Sequence, residues 1–519
     1  MSFVVTIYCC PVRIKASGMR GVMFTKQNIA RYMPCLLVLS LLICAPTSAN
    51  AACHVVSEGG AGAKNGSDWR NALPNLPSSL MRGDVYYLAR GTYRGHVFRD
   101  SDRGTQTIEV RSATAADHCT DVGWAATYVG QARFISPGPV GGNILTFETD
   151  YYIINGQYRS SDWQSGYGIR VDNIDRTACN ADIELGQSNS VPVHDITVEY
   201  VEINGSHPTG DACNEQGVRS VAGSYNEVFQ FDYVHDVGNC NFFLRGNHQH
   251  NSPGWGSGDN IMIQYSYISR NYSSAAIHGE GCSCSEGLTN FTVRYNYWID
   301  IEGTAVIATA SGGGYDSGNG NNGPWYIYGN MMYATSPSHC KLVGMFFAWD
   351  TTFSGPLYIL NNTFGNWLDA CHGIRNGITI GDGAHRTPMQ AVYVQNNLWW
   401  NTDNILPLNQ CPRDMGNATC TSMTWDHNAY FRTGRLRGAS TDTDRNKQLS
   451  SVDPFRDSKK FDFRLAIDTK PGTSTHSSVP GNDIDLNGVK RGANGTWDRG
   501  AFQIPASPEG SRKPRLTSK

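Results

Sequence analysis

Short runs of β-branched and aromatic residues recur along the middle of the chain, separated by Gly, Asn and Ser, and none has the period of a helix. One apolar position in each of eight runs serves as a marker. The markers are Val198, Phe229, Ile263, Val293, Ile327, Ile359, Val394 and Trp425. Successive markers are 31, 34, 30, 34, 32, 35 and 31 residues apart. A nearly fixed period of about 20–50 residues predicts an architecture of stacked repeats.

An Asn, or a substitute for it, recurs three residues after each marker. The residues at this position are Val201, Asp232, Ser266, Asn296, Asn330, Asn362, Asn397 and Asn428. Asn tolerates the left-handed backbone that a sharp turn needs, and stacked Asn side chains hydrogen-bond to one another along a ladder. We therefore predict an all-β solenoid that turns a corner at this position in every coil.

Two flanking parts of the chain add to this pattern. Residues 59–95 (GGAGAKNGSDWRNALPNLPSSLMRGDVYYLARGTYRG) look like the opening segment of secreted β-helix proteins, and residues 461–465 (FDFRL) with 483–503 (DIDLNGVKRGANGTWDRGAFQ) look like their closing segment. Together with the repeats, they make most of the mature chain resemble the right-handed parallel β-helix proteins of the pectate-lyase-like superfamily. The resemblance implies a single-stranded right-handed parallel β-helix with an N-terminal cap and three short strands in each coil. Because this superfamily contains lyases, hydrolases, epimerases and phage tailspikes, the fold alone does not select a reaction.

An apolar stretch near the N-terminus has the features of a signal peptide. Residues 33–51 follow Lys26 and Arg31 and end in Ala49-Asn50-Ala51, an A-x-A cleavage site. We therefore expect a secreted or periplasmic protein, with a short capping helix over residues 68–80. The expected division is 1–51 signal peptide and upstream extension, 52–140 N-terminal cap and first coils, 141–435 β-helix, 436–505 closing segment and 506–519 disordered tail.

Eleven of the 15 cysteines follow the predicted cleavage site, and an exported chain with this many is expected to form disulfides. Proximity along the chain favours the pairs Cys179–Cys213, Cys340–Cys371 and Cys411–Cys420. Cys282 and Cys284 stand too close to pair with each other without strain, so we expect one of them to bond Cys240. The number is odd, so one thiol is left over, and the absence of any CxxC pair argues against a zinc site.

The composition of the chain limits the kinds of molecule that the protein is expected to bind. The 519 residues carry a formal net charge of −3, which argues against a nucleic-acid-binding protein. No segment after the signal peptide approaches a membrane span, and we expect a monomer. Charged residues make up only 17% of the chain, whereas it holds 56 Gly, 25 Tyr and 12 Trp. Such a surface, rich in turns and aromatic rings, suits a polysaccharide.

The third run of each coil corresponds to the sheet that carries the binding cleft in this superfamily. Because side chains alternate between the faces of a strand, aligning these runs by their first apolar residue predicts the outward positions. They are Arg219, Phe243, His278, Ile307, Phe346 and Thr379, then Val221, Arg245, Glu280, Thr309, Ala348 and Gly381. Coils lie about 4.8 Å apart, so we expect Arg245, His278 and Glu280 in one patch, with Arg219 one coil earlier. The alternative is a plain Arg245–Glu280 salt bridge on a solvated face.

We expect the neighbouring loops to contribute residues to the same face. The candidate substrate-binding residues are Arg219, Phe243, His248, His250, Trp255, Asp259, Glu302 and Trp349. Acids, histidines, arginines and aromatic rings together fit an anionic polysaccharide.

Two mechanisms fit these residues. In a lyase, Arg245 or Arg219 would neutralise the uronate carboxylate, His278 would remove the proton, and Glu280 would orient the base or hold a Ca²⁺, the one cofactor considered. No Lys occurs between residues 65 and 340, which leaves His or Arg as the base. In a hydrolase, Glu280 would pair with Asp259 or Glu302. A non-catalytic carbohydrate-binding or surface protein is the third reading, and it predicts aromatic residues without a convergent ionisable cluster.

Overall fold

The structure is a computed structural model, and it describes most of the chain after residue 50. The described residues are 51–506 except 102–103, 137–141, 175–179, 187–190, 207–214, 247–257, 272–278, 286, 304, 311–320, 337–343, 350, 368–376, 381–388, 403–419, 434–443 and 445. The predicted signal peptide lies outside this part, except for its last residue. Within it, no helix is long and apolar enough to cross a membrane.

Three long parallel sheets run through the molecule, and their strands are numbered β1–β37 in chain order. Sheet A contains β1 (Cys53–Val56), β2 (Val85–Leu88), β5 (Ile108–Ser112), β8 (Tyr152–Asn155), β11 (His194–Glu199), β14 (Tyr225–Gln230), β17 (Ile261–Gln264), β20 (Phe291–Arg294), β23 (Asn321–Asn322), β24 (Trp325–Tyr328), β27 (Thr352–Phe353), β28 (Leu357–Leu360), β31 (Met389–Gln395) and β33 (Cys420–Asp426). Sheet B contains β3 (Gly91–Arg94), β6 (Ala132–Ile135), β9 (Ile169–Asp172), β12 (Val201–Asn204), β15 (Tyr233–Val237), β18 (Tyr267–Asn271), β21 (Tyr297–Ile299), β25 (Met331–Tyr333), β29 (Thr363–Gly365), β32 (Leu398–Trp400), β34 (Ala429–Phe431) and β35 (Gln448–Ser450). Sheet C contains β4 (His96–Phe98), β7 (Leu145–Phe147), β10 (Ala181–Leu185), β13 (Gln216–Ser220), β16 (Cys240–Arg245), β19 (Cys282–Ser285), β22 (Ile307–Ala310), β26 (Gly344–Trp349) and β30 (Gly377–Ile380).

The connectivity is that of a parallel β-helix, as the repeats predicted. Most coils place one strand in sheet A, the next in sheet B and the third in sheet C, and each strand pairs with its counterpart one coil later. A hairpin of β36 (Phe455–Asp457) and β37 (Asp462–Leu465) is the antiparallel pair among the described strands. The helices in this part of the chain are 3-10 turns at Trp69–Asn71, Ala126–Tyr128 and Ser458–Lys460.

The core consists of inward-facing columns in which equivalent residues stack from coil to coil. In sheet A, Val293 pairs with Ile327, Ile327 with Ile359, and Ile359 with Val394. None of the eight marker residues is more than 4% exposed, so the repeat markers are the core column of this sheet. Each fully buried aliphatic side chain contributes about 1.5–3 kcal/mol, and the period places one such group in every coil.

The recurring Asn forms a buried ladder at the corner between sheets A and B. The Asn330 side-chain amide donates to Asn362 Oδ1 at 2.9 Å and to the Val293 carbonyl at 2.9 Å, and Asn362 Oδ1 also accepts from the Asn330 backbone N–H at 3.0 Å. Asn362, Asn397 and Asn428 continue the same pattern. The predicted ladder is therefore confirmed, and each amide in it satisfies the backbone that turns the corner.

The ladder begins with substitutes for Asn in the earlier coils. The Val201 backbone N–H donates to Asp232 Oδ1 at 2.9 Å, the Asp232 N–H donates to Ser266 Oγ at 3.0 Å, and the Ser266 N–H donates to Asn296 Oδ1 at 2.9 Å. Asp232 is fully buried, and this burial raises the pKa of its carboxyl well above the ordinary value. A carboxyl that keeps its proton is the closest chemical substitute for an amide at such a position.

The left-handed backbone of the corner lies one residue before the ladder, which corrects the prediction that the Asn itself adopts it. The residues with φ of 50–60° at this corner include Tyr200, Phe231, Tyr265 and Tyr295. Their rings stack on one another at 4.8, 5.4 and 5.1 Å between centroids. A left-handed residue costs about 1–2 kcal/mol, and each aromatic pair returns about 0.5–1.5 kcal/mol.

The N-terminal end is covered by extended chain and not by the predicted capping helix. Residues 68–80 contain only the 3-10 turn Trp69–Asn71, because Pro74 and Pro77 exclude a longer helix. The outer edge of β1 is paired instead with the chain beside it. Val55 N–H donates to the Gly66 carbonyl at 3.0 Å and its carbonyl accepts from Leu73 N–H at 2.9 Å. These bonds satisfy edge groups that would otherwise be open to another chain.

The cysteine pairing differs from the sequence prediction. Cys53 is bonded to Cys119, a pair that proximity along the chain did not suggest. Cys282 is paired with Cys284, whose Cα lies 5.6 Å away on the same face of β19, and Cys240 is free and buried. The predicted bond to Cys240 is therefore wrong. Each of the other three predicted pairs includes a cysteine outside the described residues.

The Asn ladder can be tested by Asn362→Ala. The change removes the acceptor of the Asn330 amide and the donor to the Ile327 carbonyl inside a dry corner. We expect the free energy of unfolding to fall by about 3 kcal/mol, measured from the urea midpoint. Asn487→Ala, at an exposed Asn, is the matched control and should change stability by less than about 0.5 kcal/mol. Equal effects of the two changes would contradict a structural role for the ladder.

A second prediction concerns pH. Glu227 is fully buried and accepts a hydrogen bond from Ser220 Oγ at 2.7 Å, and burial raises its pKa from 4.5 to about 8. Between these values the folded chain holds a proton that the unfolded chain has released, so stability falls as pH rises, by up to about 1.4 kcal/mol per unit. Glu227→Gln does not titrate. Its thermal midpoint relative to the wild type should therefore rise steadily from pH 4.5 to 8, whereas Asn487→Ala, at an exposed residue that does not titrate, should give a flat difference.

Candidate functional site

The outer face of sheet C brings two arginines and a phenylalanine together. Glu184 of β10 pairs with Arg219 of β13, and Arg219 pairs with Phe243 of β16. Arg245 follows Phe243 by two residues and lies on the same face. Phe243 and Arg245 are partly exposed. Phe242, which precedes them, and Leu244, which lies between them, are fully buried. We call Arg219, Phe243 and Arg245 the arginine strip.

Charge and geometry within the arginine strip are defined by three contacts. The Arg245 guanidinium lies 4.7 Å from the centroid of the Phe243 ring, within the range of a cation–π contact. Arg219 Nε donates to Glu184 Oε1 at 3.1 Å, and its Nη2 forms an ion pair with the same carboxylate. Asn143 also donates to Glu184. The buried Glu184 therefore orients Arg219.

Glu280 does not belong to this strip, which corrects the sequence prediction. The strand of that coil is β19, in which Cys282 pairs with Phe242 and Ser285 with Arg245. Glu280 therefore stands at the level of Cys240, about 16 Å along the strand direction from Arg245 at the usual rise per residue. Both the predicted patch and the alternative Arg245–Glu280 salt bridge are wrong. His278 lies outside the described residues.

The physical reason is a misread register. In Cys-Ser-Cys-Ser the cysteines act as small apolar residues and face inward, which is the common behaviour of buried Cys. Gly281 lies over the Trp298 ring, where a Cβ would come within 2.7 Å of it. The alternation of Cys and Ser was the signal that could have located this strand.

The same slip occurs in the next two coils. Ile307 and Phe346 pair with each other and are buried in the core, although the alignment placed them outward. Thr309 and Ala348 are also buried and not outward. The register continues the outward row from Phe243 through Ser283 and Ala308 to Phe347. A shift of one residue moves every side chain of a strand to the opposite face.

Glu280 lies buried where the chain passes from sheet B to sheet C. Its Oε2 accepts a hydrogen bond from the Cys240 thiol at 3.2 Å, and burial together with this carboxylate raises the pKa of Cys240 well above its ordinary value. Glu302 is half-buried on the next coil, and its backbone N–H donates to Asn271 Oδ1 at 2.7 Å. The Gly303 backbone packs so tightly against residues 279 and 280 that a Cβ there would overlap them. Glu280 and Glu302 are thus neighbours at one corner.

Among the remaining predicted residues, Asp259 lies near the Arg245 end of β16, because the Gly258 backbone packs against Gly246. Asp259 bridges to Thr289 before sheet A, beyond the opposite end of β16 from Glu280. Six strand residues span about 20 Å, so Asp259 and Glu280 do not form a carboxylate pair. His248, His250 and Trp255 lie outside the described residues, and Trp349 belongs to β26 but its side chain is not described.

A charged network on the outer face of sheet B was not predicted. His235 lies between two carboxylates, with Nδ1 2.6 Å from Asp236 and Nε2 3.3 Å from Glu202. Arg170 pairs with Glu202 at 2.9 Å, and Arg270 pairs with Asp236 at 2.7 Å. Burial alone would raise the pKa of both acids, but their bonds to His235 and these arginines hold the pKa values low. An alignment of the sequences of the sheet B strands would have revealed this network, because it places Arg170 of β9 opposite Glu202 of β12.

This network joins neighbouring coils and supports the sheet beneath it. His235 and Glu202 are buried, and the Tyr233 ring stacks on His235 with centroids 3.9 Å apart. Among the described residues, no group of three or more His, Cys, Asp or Glu is arranged to hold a metal ion. The described surroundings of Glu280, a buried carboxylate against a thiol, do not fit the Ca²⁺ considered from the sequence.

Comparisons with known proteins were made on sequence and on structure. No family model matches the chain, and no curated protein matches it. Among solved structures, a pectate lyase, Pel9A, is 13% identical with a TM-score of 0.49, over 88% of this chain and 97% of that chain. An alginate lyase from Paenibacillus sp. str. FPU-7 is 13% identical with a TM-score of 0.36, over 72% of this chain and 92% of that chain. XylC in complex with xylose is 8% identical with a TM-score of 0.36, over 78% and 86%. At these identities the similarity concerns the parallel β-helix fold, which the strand pairing of the chain itself displays.

The surroundings of Cys240 lead to a test of accessibility. A buried thiol beside a carboxylate is a poor nucleophile because the thiolate is disfavoured. We expect Cys240 to resist alkylation in the native protein at pH 8 and to react fully after denaturation, as mapped by peptide mass spectrometry. Glu280→Gln should leave it protected if burial dominates. Rapid native labelling of Cys240 would contradict the described corner.

Proposed function

We propose that this protein is an exported carbohydrate-active enzyme that binds an acidic, uronic-acid polysaccharide on the outer face of sheet C and cleaves it by β-elimination. The arginine strip is the observation that supports this proposal most directly. It combines two fixed cations with an aromatic ring on the face that the superfamily resemblance assigns to the cleft. The Cys53–Cys119 disulfide and the predicted signal peptide support export.

The strip matches the chemistry of a uronate. A planar guanidinium binds a carboxylate through two parallel hydrogen bonds, and Glu184 already holds Arg219 in one orientation. The Phe243 ring lies between the arginines and offers an apolar surface for a sugar ring. Arg219 and Phe243 lie on adjacent strands, about 4.8 Å apart, which places a sugar ring and its carboxylate within reach of both.

The proposed reaction divides among a cation, a base and a proton donor. Arg219 or Arg245 neutralises the substrate carboxylate, which acidifies the proton on the adjacent ring carbon C5. A base removes that proton, the electron pair forms the C4–C5 double bond, and the C4–O bond breaks as the leaving oxygen takes up a proton. His278 remains the candidate base from the sequence. Glu280 has no role in this proposal because it stands at the level of Cys240.

A glycoside hydrolase is the second candidate. Glu280 and Glu302 lie at one corner on neighbouring coils, and a hydrolase needs two carboxyl groups beside the glycosidic bond. The burial of Glu280 weakens this candidate, since a catalytic carboxyl must reach the substrate. The third hypothesis is carbohydrate binding without catalysis, and the arginine strip by itself is sufficient to support it.

The reaction class can be decided with the purified protein and a panel of acidic polymers. Pectate and alginate, named in two of the similar structures, come first, and xylan serves as the neutral comparison. A rise in ultraviolet absorbance from the C4–C5 double bond would support elimination. New reducing ends without absorbance would support hydrolysis at Glu280 and Glu302. Binding with neither signal would leave the non-catalytic reading.

Variants of the arginine strip give the matching prediction. Arg245→Ala removes a cation from the site of developing charge and should lower kcat/KM about 100-fold, whereas Arg245→Lys should restore part of it. Arg94→Ala, an exposed arginine on sheet B, is the control and should stay within about twofold. Full activity of Arg245→Ala and Arg219→Ala in folded protein would remove the strip from the mechanism.

A further inference from the structure

A second cleft lies on another side of the solenoid, between sheet B and the C-terminal segment. Its volume is about 470 Å³, within the range of about 300–1,000 Å³ that small-molecule sites occupy. Tyr297 of β21 lines one side. Arg456, Phe461, Arg464 and Asn487 line the other, on and after the β36–β37 hairpin. The arginine strip is on sheet C, so the two surfaces belong to different faces of the coil.

The cleft carries more positive than negative charge. Arg464 is held by Asp462 through two bonds, from Nε at 2.7 Å and from Nη2 at 2.6 Å. Arg456 is exposed, and the hydrogen bond from Arg464 together with the weaker effect of the Arg456 charge lowers the pKa of Asp462. With two guanidinium groups and one carboxylate at its rim, the cleft favours an anionic ligand.

Phe461 is unusual for its combination of exposure and backbone strain. Phe461 is 55% exposed although its φ is 60°, a left-handed conformation that is unfavourable for a residue with a Cβ. The left-handed aromatic residues of the A–B corner stack in a continuous column, whereas the Phe461 ring lies edge-on or tilted to Tyr333 and Phe463, with centroids 5.8 and 6.2 Å apart. More than half of the Phe461 surface stays open to solvent, so the ring is available to a ligand. Strain of this kind persists at ligand-binding positions.

We propose that this cleft is an accessory carbohydrate site that binds a short acidic oligosaccharide. The sugar ring packs on Phe461, its carboxylate binds Arg456, and Asn487 offers an amide for the hydroxyl groups. The acidic nature of the sugar rests on the proposed function, while the positive charge and the exposed ring are independent of it. Such a site would hold the enzyme on a polymer while the sheet C face acts on another segment, which raises the effective concentration of substrate.

The protein's own C-terminal tail is a poor occupant. Residues 507–519 carry Arg512, Lys513, Arg515 and Lys519 against Glu509, so four positive charges less one negative leave a net charge of +3. A cationic tail is repelled by a cationic cleft.

The test uses the full protein and direct binding of defined trimers. Trigalacturonate and trimannuronate are the acidic probes and xylotriose is the neutral one, measured by titration calorimetry. To separate the two faces, binding is measured in an Arg219→Ala/Arg245→Ala background, and turnover is measured on a soluble trimer. We expect Arg456→Ala to weaken binding of an acidic trimer about tenfold or more, with a strong dependence on salt. Arg94→Ala, about 29 Å away by six strand spacings, should leave binding unchanged.

Phe461→Asn provides the second, independent variant. Because Asn accepts the left-handed backbone, the thermal midpoint should be unchanged or higher while binding weakens about tenfold or more. Lost binding with retained stability would show that Phe461 serves a ligand. Acidic trimer binding that is unaffected by both Arg456→Ala and Phe461→Asn would overturn the proposal, as would binding of no probe. If no polymer is cleaved but these variants still lose binding, the accessory site stands and the proposed reaction fails.

Discussion

The buried amide ladder at the corner between sheets A and B is the interaction on which the rest of the solenoid depends. A sharp corner leaves backbone N–H and C=O groups inside a dry core, where an unpaired group costs about 1–3 kcal/mol. An Asn side chain supplies one acceptor and two donors. In Asn330 these bond the neighbouring amide, the backbone N–H and the carbonyl of a core strand. The amide of each coil therefore satisfies backbone groups at the corner of the preceding coil.

The ladder sets the height and register of the coils from Val201 to Asn428, and the strands of the three sheets there follow from it. Equivalent residues come into line along each face, so that any chemical property repeated in the sequence becomes a column in space. The aliphatic columns form the core. On the outside, sheet B carries the Arg170–Glu202–His235 network, which joins coils and leaves little open surface. The arginine strip on sheet C combines partial exposure with charge and an aromatic ring, and for that reason it is the better candidate for substrate.

The candidate site shows how a fold can be predicted well while its chemistry is misplaced. The eight markers and the Asn positions recur at a nearly fixed interval along the sequence. A difference of one or two residues in the length of a loop does not change their assignment. The outward residues of sheet C depend on where each short strand begins. Arg219, Phe243 and Arg245 lie on the outer face as expected, since Phe242 and Leu244 are plainly apolar. In the next coil the inward-facing residues are cysteines, which the alignment did not treat as apolar. Glu280 was therefore predicted on the outer face, whereas the structure buries it at a corner.

The sequence by itself determined the parallel β-helix, its core columns and its ladder, because these depend on local alternation and on a repeat that is visible in one dimension. Only the tertiary structure decided the Cys53–Cys119 pairing and the partners of His235. It also decided that Phe461 lines a cleft with Tyr297, although the two are 164 residues apart (461 − 297). Those contacts join parts of the chain that share no repeat, so their positions follow from the accumulated register of all the coils between them.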